Sequence, residues 1–201
     1  MKTVIIKYNA GNIQSVLYAL ERIGVHAVVT ADHEEIMAAD KVIFPGVGEA
    51  NSAMNSLKEN NLDQIIKSLK QPVLGICVGM QLLCKYSEEN NTDCIGIFEE
   101  PVKKFESDVF KIPQIGWNTL HDLKSPLMNG IAENSYCYFV HSYYVPMNEY
   151  AIATTDYVQP YASAIHKNNF YGVQFHAEKS AQVGERILKN FIDMPPTPKG
   201  E

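Results

Sequence analysis

A chain of 201 residues with 46% hydrophobic and 20% charged side chains fits one ordinary soluble domain with a sizeable core. A net charge of −6 argues against a general nucleic-acid binder, which would carry a basic stripe. No apolar run approaches the roughly 18–20 residues that span a bilayer, and the apolar core of MKTVIIKYNAG is too short for a signal peptide.

The expected location is therefore the cytoplasm. There the four cysteines (Cys77, Cys84, Cys94 and Cys137) stay reduced, and none of their spacings is that of a zinc motif. In chain order, residues 4–8 read as a strand and 9–12 as a turn. Ile13, Val16, Leu17, Leu20 and Ile23 then follow the helical period, with Gly24 as the stop. Residues 26–30 and 41–44 read as two more strands, the second running directly into Pro45-Gly46-Val47-Gly48. A helical stretch follows over 50–69, broken near Asn60-Asn61, and 73–76 is a fourth strand.

Strands alternating with helices predict an α/β fold: a mainly parallel sheet flanked by helices on both faces. From 97 to 165 the pattern changes to short strands and turns punctuated by Pro101, Pro113, Pro126, Pro146 and Pro160, an antiparallel or mixed extension of the same domain. A strand over 171–175 and a helix over 183–192 close it. The domain is expected to span 1–194, with a proline-rich, disordered tail over 195–201.

The chemistry concentrates at Cys77. In PVLGICVGMQLL an apolar strand stops at Gly-Ile-Cys-Val-Gly and an amphipathic stretch begins, placing the thiol at a sharp strand-to-helix turn. At a helix N-terminus the macrodipole and free N–H groups favour a thiolate. A cysteine in an apolar stretch is more often an inert buried thiol, so the partner residues decide. About a hundred residues on, FYGVQFHAEKS carries His176 and Glu178 two apart, which share a face if the segment is extended. Cysteine, histidine and an orienting carboxylate make an acyl-transfer triad. His141 in YFVHSYY lacks a carboxylate two residues on and is assigned to packing or to a partner-facing wall. His26, His33, His121 and His166 read as surface residues.

GICVGMQLL, His176-Ala177-Glu178 and PGVG together resemble the class I glutamine amidotransferase family, whose fold is flavodoxin-like. KYNAGNIQSV, KVIFPGVGEA, IPQIGWN, YFVHSYY and NFYGVQFHAEKS look, within it, like the glutaminase subunits of imidazole glycerol phosphate synthases of the histidine pathway, over residues 1 to about 194. The resemblance implies glutamine as substrate and Cys77, His176 and Glu178 as the triad. The Val47 and Val78 backbone N–H groups would form the oxyanion hole. Gly46, Gly48, Gln81, Glu89, Ser142 and Tyr143 would surround the substrate.

It further implies no cofactor, no metal, and a heterodimer with a cyclase subunit built as a (β/α)₈ barrel, with Asn12, Tyr138 and Lys179 near the interface. Alternatives are a sister amidotransferase serving another synthase, a non-catalytic module of the same fold, and a protease or esterase on a related fold. The chain departs from the family at Ala177, where proline is usual, and at Gln114, where histidine is frequent.

Overall fold

The computed structural model describes residues 1–9 and 11–195. Ala10, in the expected turn, and residues 196–201 of the expected tail lie outside the described residues. The first half alternates as its hydrophobic pattern requires. Strand β1 (Thr3–Ile6) leads to helix α1 (Ile13–Arg22), which buries Val16, Ala19 and Leu20 and is capped by the Asn12 side chain. Strand β2 (Ala27–Thr30) is followed by a short helix, α2 (His33–Met37), that the hydrophobic period does not announce. Its signal is the cap: Asp32 accepts from the Glu35 N–H at 2.9 Å.

Strand β3 (Lys41–Phe44) precedes α3 (Ala50–Glu59) and α4 (Leu62–Ser68). The break between these helices is at Asn61, whose φ of 52° is left-handed. Strand β4 (Val73–Ile76) runs into the six-residue helix α5 (Val78–Leu83).

The rest is rich in strands. In order they are β5 (Cys84–Ser87), β6 (Thr92–Asp93), β7 (Phe98–Lys104), β8 (Gln114–Leu120), β9 (Ser135–His141), β10 (Tyr143–Pro146), β11 (Ala151–Asp156), β12 (Pro160–Lys167) and β13 (Phe170–Val173). Helix α6 (Ala181–Asp193) closes the described chain.

The main sheet has the order β2-β1-β3-β4-β13-β12-β10-β7-β5-β6, with β11 paired to β12. From β2 to β13 every pairing is parallel; beyond β13 the sheet is antiparallel except where β5 meets β7. This is the parallel sheet with a mixed extension that the sequence predicts. Strands β1, β3 and β4 are buried along their whole length, which is why they read as unbroken apolar runs. Helices α1 and α6 pack together, as do α2 and α3 with α4, giving the helical cover.

Strands β8 and β9 form a separate antiparallel ribbon. Lys41, wholly buried, donates from Nζ to the Met194 carbonyl at 2.7 Å and ties the end of α6 to β3. Among the described residues no helix is long and apolar enough to cross a membrane.

Candidate active site

The C-terminal ends of β3 and β4 and the loop after β13 converge, as the crevice of an open α/β sheet should. Cys77 follows β4 with φ 54° and ψ −112°, a conformation rarely held by a non-glycine residue. Its backbone is clamped on both sides: its N–H donates to the Val173 carbonyl at 2.8 Å, and its carbonyl accepts from the Gln81 N–H at 3.2 Å. The bend closes because α5 presses directly on β3. A Cβ at Gly79 would collide with the Phe44 carbonyl oxygen, and one at Gly75 would meet the Gly79 carbonyl.

His176 and Glu178 do not sit on an extended segment, as the i, i+2 reading requires. β13 ends at Val173, and the pair straddles the entry to a 3₁₀ turn, Ala177–Lys179. The turn achieves what a strand was expected to do: His176 Nδ1 lies 2.8 Å from Glu178 Oε1, with both side chains buried. Tertiary contacts hold it without proline at Ala177. The His176 N–H donates to the Tyr138 carbonyl at 2.9 Å, Ser180 Oγ donates to the His176 carbonyl at 2.7 Å, and α6 abuts the Ala177 carbonyl at Gly184. Burial works to lower the His176 pKa, but hydrogen bonds and charge from Cys77 and Glu178 outweigh it and raise it above the ordinary imidazole range. The ring therefore tends to be cationic at neutral pH.

Cys77 and His176 share a cavity of about 280 Å³, suited to one small molecule. Val47 and Gly48 line it from the loop after β3, Val78 and Gln81 from the elbow, and Glu89, Ser142 and Tyr143 from the opposite wall. Gly46 is not among the lining residues. It lies beneath α5, where a Cβ would meet the Gly79 nitrogen. Glu178 stands behind His176 rather than in the cavity.

Glu89 is half-buried. It is in a 3₁₀ turn, and its Oε2 accepts from the Ala50 N–H at 2.8 Å. Burial, with the charge of Glu49, raises its pKa against that hydrogen bond, so a cationic ligand group beside it would be favoured.

Sequence reasoning assigned His141 to packing or a wall, which the structure agrees with, and passed over Gln174. His141 is buried beside the cavity. Its Nδ1 donates to the Tyr143 carbonyl at 2.7 Å, and its Nε2 faces the Gln114 amide at 3.0 Å and the Tyr161 hydroxyl at 3.2 Å. Burial, aided by repulsion from His176 and opposed by that carbonyl, pushes its pKa down to about 4. It is a neutral packing and hydrogen-bonding residue, and Gln114 serves the same network. Gln174, wholly buried two residues before His176, places its amide 3.8 Å from the Cys77 sulfur. A lone polar residue between Val173 and Phe175 was the available signal.

Asn12 caps α1, which packs on the 177–179 turn that carries Lys179, and Tyr138 in β9 is bonded to the residues on either side of that turn. Lys179 is exposed, and Asn12 and Tyr138 are half-buried. Among the described residues no group of three or more His, Cys, Asp or Glu side chains is placed to hold a metal ion.

A strained cysteine elbow and the histidine of a histidine–glutamate pair share one cavity at the C-terminal edge of a parallel sheet, the set of residue types that thiol-dependent acyl transfer needs. The chain belongs to the glutamine amidotransferase class-I family, whose profile matches residues 4–194. Imidazole glycerol phosphate synthase subunit HisH of Bacteroides fragilis (strain YCH46) is 58% identical over 196 residues, covering 96% of this chain and 100% of the relative. The HisH subunit of Bacteroides thetaiotaomicron is 55% identical over the same coverage. A solved structure described as a glutamine amidotransferase superposes with a TM-score of 0.75 at 15% identity, covering 96% of this chain and 98% of that one; it shares the fold.

Proposed function

We propose that this chain is the glutaminase subunit of an imidazole glycerol phosphate synthase. The observation that carries the reading is the 58% identity to a HisH subunit along that relative's whole length, joined to a buried His176–Glu178 pair facing Cys77. In this reading the Cys77 thiolate attacks the side-chain amide carbon of glutamine. The tetrahedral oxyanion is met by the backbone N–H groups of Val47 and Val78, one such donor being worth roughly 3 kcal/mol of barrier. The His176 imidazolium gives its proton to the departing ammonia, leaving a γ-glutamyl thioester. The now neutral ring takes a proton from water, which attacks the thioester and releases glutamate. Glu178 fixes the tautomer and supports the imidazolium. Gly48, Gln81, Glu89, Ser142 and Tyr143 hold the amino and carboxylate ends of glutamine.

The ammonia passes to a cyclase subunit with a (β/α)₈ barrel, which makes imidazole glycerol phosphate and aminoimidazole carboxamide ribonucleotide in the cytoplasm. The β8–β9 ribbon supports docking of such a partner. Ile115, Trp117, Tyr136 and Val140 expose apolar side chains there, and Val140 also borders the cavity. The resemblance adds Asn12, Tyr138 and Lys179 to that surface.

The test is steady-state glutamine hydrolysis by the pure chain, then with the cyclase, then with the cyclase and its nucleotide ligand. Activity should rise by roughly 10²–10³ in the full complex, as gain of one oxyanion donor would give. Cys77→Ser should reduce it at least ~10³-fold in every condition. Full activity from the isolated chain would show that the cyclase does not switch the site on, and activity in Cys77→Ser would remove the nucleophile.

A further inference from the structure

We propose that Gln174 is a further functional residue of the site: its side-chain amide, locked in one orientation by Gln81 and the Tyr143 carbonyl, holds an N–H toward the Cys77 sulfur. The inference rests on the reading of Cys77 as nucleophile and adds a residue to it.

The argument is a balance of donors and acceptors. The Tyr143 carbonyl can only accept. Gln81 lies 3.0 Å from it through Nε2, so the NH₂ side of the Gln81 amide must face that way. The second hydrogen of the same nitrogen points to Gln174, whose Oε1 is 2.9 Å away. With its oxygen committed to Gln81, Gln174 has only its NH₂ to turn to its other neighbour, and that neighbour is Cys77 Sγ at 3.8 Å. Rotating the Gln81 amide by half a turn would set its oxygen against the Tyr143 carbonyl, two acceptors, and rotating that of Gln174 would set two NH₂ donors face to face.

The bridge is rigid, since Gln174 is wholly buried, Gln81 nearly so, and the Gln174 backbone N–H donates to the Ser163 carbonyl at 2.8 Å. A donor beside sulfur favours the anionic form over the thiol and fixes the direction from which the sulfur faces the cavity. The chain thus couples one wall of the pocket, through Gln81, to the attacking atom.

The test is alkylation of Cys77 by iodoacetamide, with no glutamine present, followed on the Cys77 peptide by mass spectrometry so that the other three cysteines do not contribute. Two folded variants are compared. Gln174→Met keeps the volume and removes both hydrogen bonds. Gln174→Glu keeps the acceptor for Gln81 and replaces the donor with an oxygen. Both should alkylate about tenfold more slowly at neutral pH, the equivalent of one hydrogen bond to a charged group. Their rate–pH profiles should move to higher pH, and Gln174→Glu should be the slower. In glutamine turnover with the cyclase, Gln174→Glu should lose kcat with KM largely kept, whereas Gln174→Met should alter both.

In the unsubstituted protein, the Gln174 side-chain NH₂ resonance should move with pH together with Cys77 alkylation, and should not do so in Cys77→Ala. Unchanged alkylation profiles in the folded variants overturn the proposal. So does an NH₂ resonance indifferent to Cys77, even where a variant fails to fold. The failure of the nucleophile reading is distinct: it would appear as glutaminase activity in Cys77→Ser, with the NH₂ response intact.

Discussion

The Tyr8 hydroxyl donates a 2.6 Å hydrogen bond to the Pro45 carbonyl, tying the segment after β1 to the first residue of the Pro45-Gly46-Val47-Gly48 loop. Both residues are buried, and burial raises the Tyr8 pKa, so the phenol stays a donor at every working pH. The same segment is fixed again one residue on, where the Asn9 N–H donates to Ser56 Oγ at 3.1 Å. The loop that lines the cavity with Cys77 is thus held from a neighbouring strand.

Tyr8→Phe leaves the Pro45 carbonyl buried without its donor, at a cost of about 1–3 kcal/mol. The expected result is a lower Tm by thermal melting and a lower kcat with the cyclase present, because Val47 follows that carbonyl closely. A variant with unchanged Tm and kcat would show that the bond does not restrain the loop.

Gly79→Ala tests the elbow by sterics alone. The new methyl has no space beside the Phe44 carbonyl, and backbone cannot step aside as a side chain can. Loss of at least ~1–3 kcal/mol in denaturant unfolding and loss of Cys77 alkylation are expected together. Wild-type stability would mean that α5 and β3 are not pressed together.

Glu178→Gln removes a charge that raises the His176 pKa, so that pKa falls. In the proposed mechanism the imidazolium delivers the proton to ammonia, so activity is expected to fall on the alkaline side as it deprotonates. The alkaline limb of kcat/KM should therefore move to lower pH in the variant, with reduced but measurable turnover. The raised value also bears on stability. His176 contributes stability that is complete below its unfolded pKa near 6.5 and is lost as pH rises through its higher folded value. Glu178→Gln should flatten that alkaline loss in urea titrations across pH. An alkaline limb identical to wild type would reduce the triad to a dyad.

Trp117 stands 53% exposed on the β8–β9 ribbon, edge-on to Tyr138 at 5.9 Å. A large aromatic side chain so placed is a candidate anchor for the cyclase. Trp117→Ala should weaken cyclase binding by at least about tenfold in calorimetry and change the stability of the isolated chain by no more than ~0.5 kcal/mol. Unaltered affinity would place the docking surface elsewhere.

The sequence by itself determined the elements whose signal is local. Buried parallel strands declare themselves as apolar runs, helix α1 by its period, the α3–α4 break by Asn60-Asn61, and the elbow by small residues flanking Cys77. That Cys77, His176 and Glu178 would be brought together was legible because the first sits in a small-residue elbow and the other two lie two apart in one motif. Helix α2 was passed over because five residues show no period, although Asp32 caps it.

Only the tertiary structure decided what depends on residues distant in the chain. His176 and Glu178 meet in a turn rather than on a strand because β9, Ser180 and α6 hold that turn from outside. Gly46 went under α5 instead of into the cavity because β3 and α5 need that space. Lys41, a charge at the start of a strand, proved a buried anchor for the end of α6, 153 residues away. The orientation of the Gln174 amide follows from a carbonyl at Tyr143 and an amide at Gln81. Hydrogen-bond direction in a closed cavity is a property of all the partners at once, and no local stretch of sequence contains them.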